Sequence, residues 1–236
     1  MTEAITDPKV VLFAILGGLM PALLWLWFWF KNEDNEEREP LVLIITSFIL
    51  GGLLVLIAGF LQKATLGHIT DKNLQIVAWA SIEEALKMAA VLLIIMGTKI
   101  IRRPIDYPMY FIAVALGFAG LENIFYLLDP ISTNGTVVGL LTGNLRYLGS
   151  TLLHAIASSM MGSALGLAFY TKSMRGIYLF FGLFCAIILH SIFNFYIMKD
   201  GGANFLSVFG FLWVVAIINI LIFEKLRRMG RYVPVR

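Results

Sequence analysis

Seven runs of about twenty apolar residues follow one another along a chain of only 236 residues, and nothing constrains its fold more. A run of that length matches the hydrocarbon thickness of a bilayer. Backbone placed there must satisfy its own hydrogen bonds, which leaves helices as the element. The runs are Val10–Phe30, Leu41–Leu61, Leu74–Gly97, Met109–Leu128, Arg146–Tyr170, Ile177–Met198 and Phe205–Phe223. A composition 59% hydrophobic and 14% charged, with mean hydropathy +0.86, excludes an ordinary soluble domain. The expected fold is all-α: a polytopic transmembrane helical bundle of seven or eight helices, with residues 1–236 as a single integral membrane domain. The run Thr136–Leu141 is too short to span and reads as an interfacial or re-entrant piece; an eighth span would need it to grow into its neighbours. The lipid bilayer is the expected environment. The net charge of +3 requires no nucleic acid, because basic loops are expected from topology alone.

Lys and Arg divide unequally between the two sides. The loops after spans one, three and five and the C-terminal tail hold twelve, against four (Lys9, Lys63, Lys72, Lys199) on the other side. The positive-inside rule puts the richer side in the cytoplasm. The expectation is a multi-pass protein of the cell membrane, N-terminus outside and C-terminus cytoplasmic. Trp25, Trp27 and Trp29 then form part of an aromatic belt. The acids of KNEDNEEREP, residues 31–40, read as a solvated connection. The first apolar run is too long for a signal h-region. The single cysteine, Cys185, reads as core packing.

Ionisable groups interrupt several of these spans. Span three carries Glu83, Glu84 and Lys87, span four Glu122, span five His154 and span six His190. Asn123 and Asn194 accompany them, and Arg146 stands at the outer end of span five. Such residues are costly in lipid and face a bundle interior or a wet cavity. At 1.5 Å per residue, Glu83 lies about 14 Å from the outer end of its span, Glu122 about 9 Å, and His154 and His190 about 12 Å. Alternating span directions therefore bring all four into the outer half of the bilayer. Glu83 and Lys87 have the i,i+4 spacing of a helical ion pair, which leaves Glu84 as the less paired glutamate. His190 and Asn194 share a helix face, and Arg146, Ser150, His154 and Ser158 form a polar stripe.

Two histidines and a carboxylate on facing helices can bind Zn²⁺, which lowers the pKa of bound water to about 7 and polarises a carbonyl. A buried glutamate can also serve as general base without metal, with Asn or His stabilising an oxyanion. Both schemes hydrolyse a peptide bond. The candidate metal set is Glu84, His154 and His190. Taken singly, the same residues have structural readings: a buried ion pair for Glu83 and Lys87, interhelical hydrogen bonds for the histidines and asparagines. Gly162 and Gly166 read as packing. A proton-coupled transporter also uses buried Glu and His, but predicts paired repeats with broken helices. An inactive membrane scaffold is a third reading.

Four motifs stand in order on successive spans: EExxK (Glu83, Glu84, Lys87), FxxxEN (Phe118, Glu122, Asn123), Arg146 with His154 and Gly162, and HxxxN (His190, Asn194). This pattern resembles the PrsW family of intramembrane proteases, distant relatives of the type II CAAX prenyl proteases, over residues 74–198. It departs from the CAAX pattern in that Lys87 comes one residue sooner than the Arg of EExxxR, and Glu122 replaces a histidine. The resemblance implies an intramembrane endopeptidase that cleaves a single-pass membrane protein, such as an anti-sigma factor, on its extracytoplasmic side. It implies Glu83, Glu84, Glu122, His154, His190 and Asn194 as catalytic, with Lys87, Asn123 and Arg146 in support, and a mechanism of either the metallo type, with Zn²⁺, or the glutamate type.

Overall fold

The computed structural model describes residues 7–31, 39–96, 100–134, 136–199 and 205–231, with backbone alone described at 134, 136–148, 198–199, 205 and 231. Among these residues the regular elements are all helical: α1 (Pro8–Phe30), α2 (Leu41–Thr65), α3 (Lys72–Met96), α4 (Asp106–Asn134), α5 (Thr136–Leu167), a 3₁₀ turn (Lys172–Met174), α6 (Arg175–Lys199) and α7 (Phe205–Arg231).

Five of the seven helices, α1, α2, α4, α6 and α7, are long and apolar enough to cross a membrane. The other two, α3 and α5, have 25 and 32 residues, ample length for a span. Their apolarity is lowered by the ionisable and hydroxyl side chains that the bundle encloses. The run Thr136–Leu141 is not a separate piece but the opening of α5. Growth of α4 to Asn134 and of α5 from Thr136 lengthens both helices beyond the apolar runs, since polar residues at a helix end keep the backbone bonded.

Helix α4 is the axle of the bundle. Tyr110 to Leu116 are fully buried, and α4 packs against α1, α2 and α5. Small residues make this possible. A Cβ on Gly51 of α2 would lie 1.9 Å from the Val114 carbonyl oxygen, and one on Gly117 of α4 would lie 1.8 Å from that of Phe48. The two backbones therefore touch at reciprocal glycines, the close approach that drives helix association where lipid supplies no hydrophobic contrast. Gly162 also packs as expected, since its Cβ would meet Pro108 Cα at 2.4 Å. Leu, Ile and Phe side chains on the outer faces of α1, α2, α6 and α7 remain exposed. Cys185 belongs to that exposed surface of α6 and not to the core, because Gly182, Ala186 and Leu189 take the inward positions of its helix.

Asp106 starts α4 by accepting the Arg102 and Arg103 backbone N–H groups at 2.8 and 2.7 Å, an arrangement favoured by the helix dipole. Arg103 Nε donates to the same carboxylate at 2.9 Å. Glu39, expected to be solvated, is instead mostly buried beside Arg103 and accepts the Tyr110 hydroxyl. The remaining acids of that connection lie outside the described residues. Of the three tryptophans on α1, Trp27 is exposed under the Lys31 ammonium, while Trp29 packs edge-on to Phe223 of α7 at 5.0 Å.

Candidate active site

The buried residues of α3 are Ile76, Ala80, Glu83, Glu84, Lys87, Ala90 and Val91. Their spacing is that of a single helix face, so the charged trio occupies the middle of a stripe that would otherwise be apolar. That stripe meets α2, α4, α5 and α6, which places all three charges against protein.

Within the stripe, Lys87 pairs with Glu84, not chiefly with Glu83. Lys87 Nζ lies 2.7 Å from Glu84 Oε1 and 3.9 Å from Glu83 Oε2. The i,i+4 pair with Glu83 is present but is the longer contact, and Glu84 is not the less paired glutamate, because tertiary partners divide the two carboxylates. Glu84 points inward, where Ser158 of α5 donates to Oε2 at 3.2 Å and His190 of α6 donates from Nδ1 to Oε1 at 2.8 Å. Glu83 is drawn toward α2, where Gln62 Nε2 donates to its Oε1 at 2.8 Å. Glu83 Oε2 is buried with no hydrogen-bond partner among the described residues, and faces His190 Nε2 at 3.7 Å.

His154 bridges two helices. Its Nδ1 accepts from Lys87 Nζ at 2.6 Å, and its Nε2 lies 2.8 Å from Glu122 Oε2. An ammonium only donates, so the neutral ring carries its proton on Nε2 and gives it to Glu122. His190 is the mirror case: with Nδ1–H given to Glu84, its Nε2 is the atom turned toward Glu83. The two imidazoles meet edge-on, with centroids 5.0 Å apart. Phe118, one turn before Glu122, closes one wall with its ring 4.4 Å from Lys87 Nζ and 5.5 Å from the His154 ring. Such a cation–π contact is worth about 2 kcal/mol when desolvated. Asn123 Nδ2 donates to Thr151 Oγ1 at 2.9 Å, a buried bond that joins α4 to α5 one turn from His154.

Five predicted residues, Glu83, Glu84, Glu122, His154 and His190, thus form one cluster with Lys87 at its centre, close to the midpoint of each helix. Asn194 follows His190 by one turn and is half-buried, and it does not share in the hydrogen bonds that join the cluster among the described residues. Arg146 belongs to the part of α5 whose side chains lie outside the described residues. Gln62 was missed, since a glutamine near a span end carries no signal of its own. Ser158 was visible only as a member of the polar stripe.

One carboxylate oxygen of Glu83 and one ring nitrogen each of His154 and His190 lie within 4.8 Å of one another, all three residues buried. Two imidazoles and a carboxylate are a donor set that suits Zn²⁺ with a fourth position open. The unpartnered Glu83 oxygen fits that use, because buried polar atoms are otherwise nearly always bonded. Glu84 fits it less well than expected from the sequence, since Lys87, His190 and Ser158 occupy its oxygens. Its bond to His190 Nδ1 matches the carboxylate–histidine arrangement that orients a metal ligand from behind.

Sequence comparisons point the same way. The sequence model of a family described as "PrsW family intramembrane metalloprotease" matches residues 39–221. A Protease PrsW from Oceanobacillus iheyensis is 30% identical over 216 residues, covering 89% of this chain and 95% of that protein. Those from Geobacillus kaustophilus and Bacillus subtilis are each 28% identical, covering 86% and 78% of this chain and 88% and 83% of theirs. No solved structure matches the chain significantly.

Proposed function

The chain belongs to the PrsW family of intramembrane metalloproteases, and from that membership we propose that Glu83, His154 and His190 form the centre at which it hydrolyses a peptide bond. The observation that carries this assignment is the buried Glu83 Oε2, without a hydrogen-bond partner among the described residues and facing His190 Nε2.

The chain's own groups supply most of the chemistry. With Oε2 unliganded, Glu83 accepts a proton from water as the water oxygen attacks the scissile carbonyl carbon; with a metal held, it would serve instead as a ligand. The C–N bond then breaks, and the proton passes to the leaving amine. A positioned general base of this kind contributes about 10²–10⁴-fold. Glu84 fixes the tautomer and orientation of His190, and Glu122 does the same for His154. For a metal to be held, His154 exchanges one of its two present partners. Zn²⁺, when bound by Glu83, His154 and His190, would polarise the carbonyl and acidify the water. Lys87 balances the carboxylate charge. Asn194, one turn from His190, supplies the amide donor for the oxyanion. Glu122 is the cluster's most open member, its side chain 38% exposed against 1% for His154, which favours substrate entry from the α4 side.

The substrate class is a single-pass membrane protein, such as an anti-sigma factor, cut on its extracytoplasmic side. With twelve Lys and Arg on one side and four on the other, the N-terminus is outside and the C-terminus cytoplasmic. Wild type, Glu83→Gln and His154→Ala, co-reconstituted in liposomes with tagged single-pass proteins, test the assignment. A fragment made by wild type and by neither variant is expected; a fragment that Glu83→Gln still makes at the wild-type rate overturns it. Labelling of terminal tags in intact cells tests the orientation, and a C-terminal tag labelled from outside overturns it.

A further inference from the structure

We propose that Gln62, on α2, is a positioning residue for Glu83, holding one carboxylate oxygen so that the other is presented to the histidines. This rests on the metal-holding role of Glu83 given above.

Among the described residues, Glu83 is the only member of the histidine–carboxylate cluster that bonds a side chain of α2. Gln62 Nε2 donates to Oε1 at 2.8 Å, and that bond leaves Oε2 turned toward His190. Among the described residues it is the one hydrogen bond from α2 that distinguishes the two oxygens. Without it, the carboxylate would be free to rotate about its last bond and to swing toward Lys87, whose ammonium is already 3.9 Å from Oε2. A primary amide suits this position. It donates without adding a charge, so it orients Glu83 and leaves its negative charge available to a cation.

The turn of α2 that carries Gln62 is itself held in place. Thr65 Oγ1 donates to the Gln62 backbone carbonyl at 2.6 Å, and Trp79 Nε1 donates to Thr65 Oγ1 at 3.0 Å. Trp79 and Glu83 are one turn apart on α3, so they share a face. Gln62 and Thr65 are likewise one turn apart on α2. The last turn of α2 is thus fastened to α3 at two adjacent points, one of which is the Glu83 carboxylate. Bonds made by the partners of a metal-binding carboxylate typically matter by about 10–100-fold in affinity.

The experiment is a Co²⁺ titration of the full chain in detergent, read by the visible absorption of the bound ion. It compares wild type with Gln62→Met, which keeps size and loses the donor, and Gln62→Asn, which stays polar but is too short to reach. Glu83→Gln marks loss of the ligand itself. Asn219→Leu breaks a buried bond from Ser159 to α7, 2.9 Å long and away from the cluster, and reports what mere loss of an interhelical bond does. Expected are about 10-fold weaker Co²⁺ binding and an altered band shape in both Gln62 variants, with Asn219→Leu within about two-fold of wild type. Wild-type affinity and band shape in a folded Gln62→Met or Gln62→Asn, with binding lost in Glu83→Gln, overturns the role of Gln62 alone. No site-specific Co²⁺ binding by wild type overturns the metal-holding role of Glu83, and this inference with it.

Discussion

Lys87 Nζ donates to Glu84 Oε1 across 2.7 Å, one turn along α3, and neither side chain has any solvent exposure. An ion pair so enclosed is stable only as a pair, because each charge alone would face the full cost of desolvation. It also occupies Glu84 Oε1, whereas Glu83 Oε2 has no hydrogen-bond partner among the described residues.

Lys87→Met should therefore leave Glu84 as an uncompensated buried charge. The expected loss is about 3–5 kcal/mol, seen as a lower thermal midpoint in detergent. Adding Glu84→Gln to Lys87→Met should restore much of that loss, since the two changes act on one pair. Equal midpoints for Lys87→Met and wild type would show that the pair does not hold the bundle.

Glu83→Gln should abolish cleavage of a reconstituted substrate to within detection, a loss of at least about 10²-fold. The fold should persist, because an amide can still accept from Gln62. Helical content and thermal midpoint measured beside the cleavage rate separate the two effects.

Glu84→Gln and Glu83→Gln should differ in metal binding. Loss of a ligand removes the site, whereas loss of the group behind His190 weakens it by about 10–100-fold. Zinc content after dialysis against a graded chelator series is the measurement. The same rank order of loss for both variants would mean that Glu84 is a ligand as well.

Gly117→Val should destabilise the bundle more than a change on an outer helix face. Its side chain would begin 1.8 Å from the Phe48 carbonyl oxygen, and backbone cannot move aside as a side chain does. Overpacking of this kind costs about 1–3 kcal/mol or more. The thermal midpoint should fall, and Co²⁺ binding should weaken too, because displacing α2 carries Gln62 away from Glu83.

Much of the protein follows from its sequence alone. Long apolar runs in a bilayer can only be helices, so the class of fold is legible wherever a run of about twenty residues occurs. Charge inside such a run must face protein, so Glu83, Glu84, Lys87, Glu122, His154 and His190 declare themselves as interior. Helical spacing even places the three charges of α3 on one face. Tertiary structure alone decided how that face is divided. Whether Lys87 chooses the glutamate three or four residues back depends on Ser158 and His190 on one side and Gln62 on the other, which are 74, 106 and 21 residues away from the glutamates they bind. Spacing along one helix is blind to those neighbours, because hydrogen bonds in a buried cluster go to whichever donor packing brings within 3 Å or so. The same holds for Cys185 and Glu39: hydropathy predicts which residues prefer burial, but only the packing of α6 and of the turn before α4 determines which of them receive it.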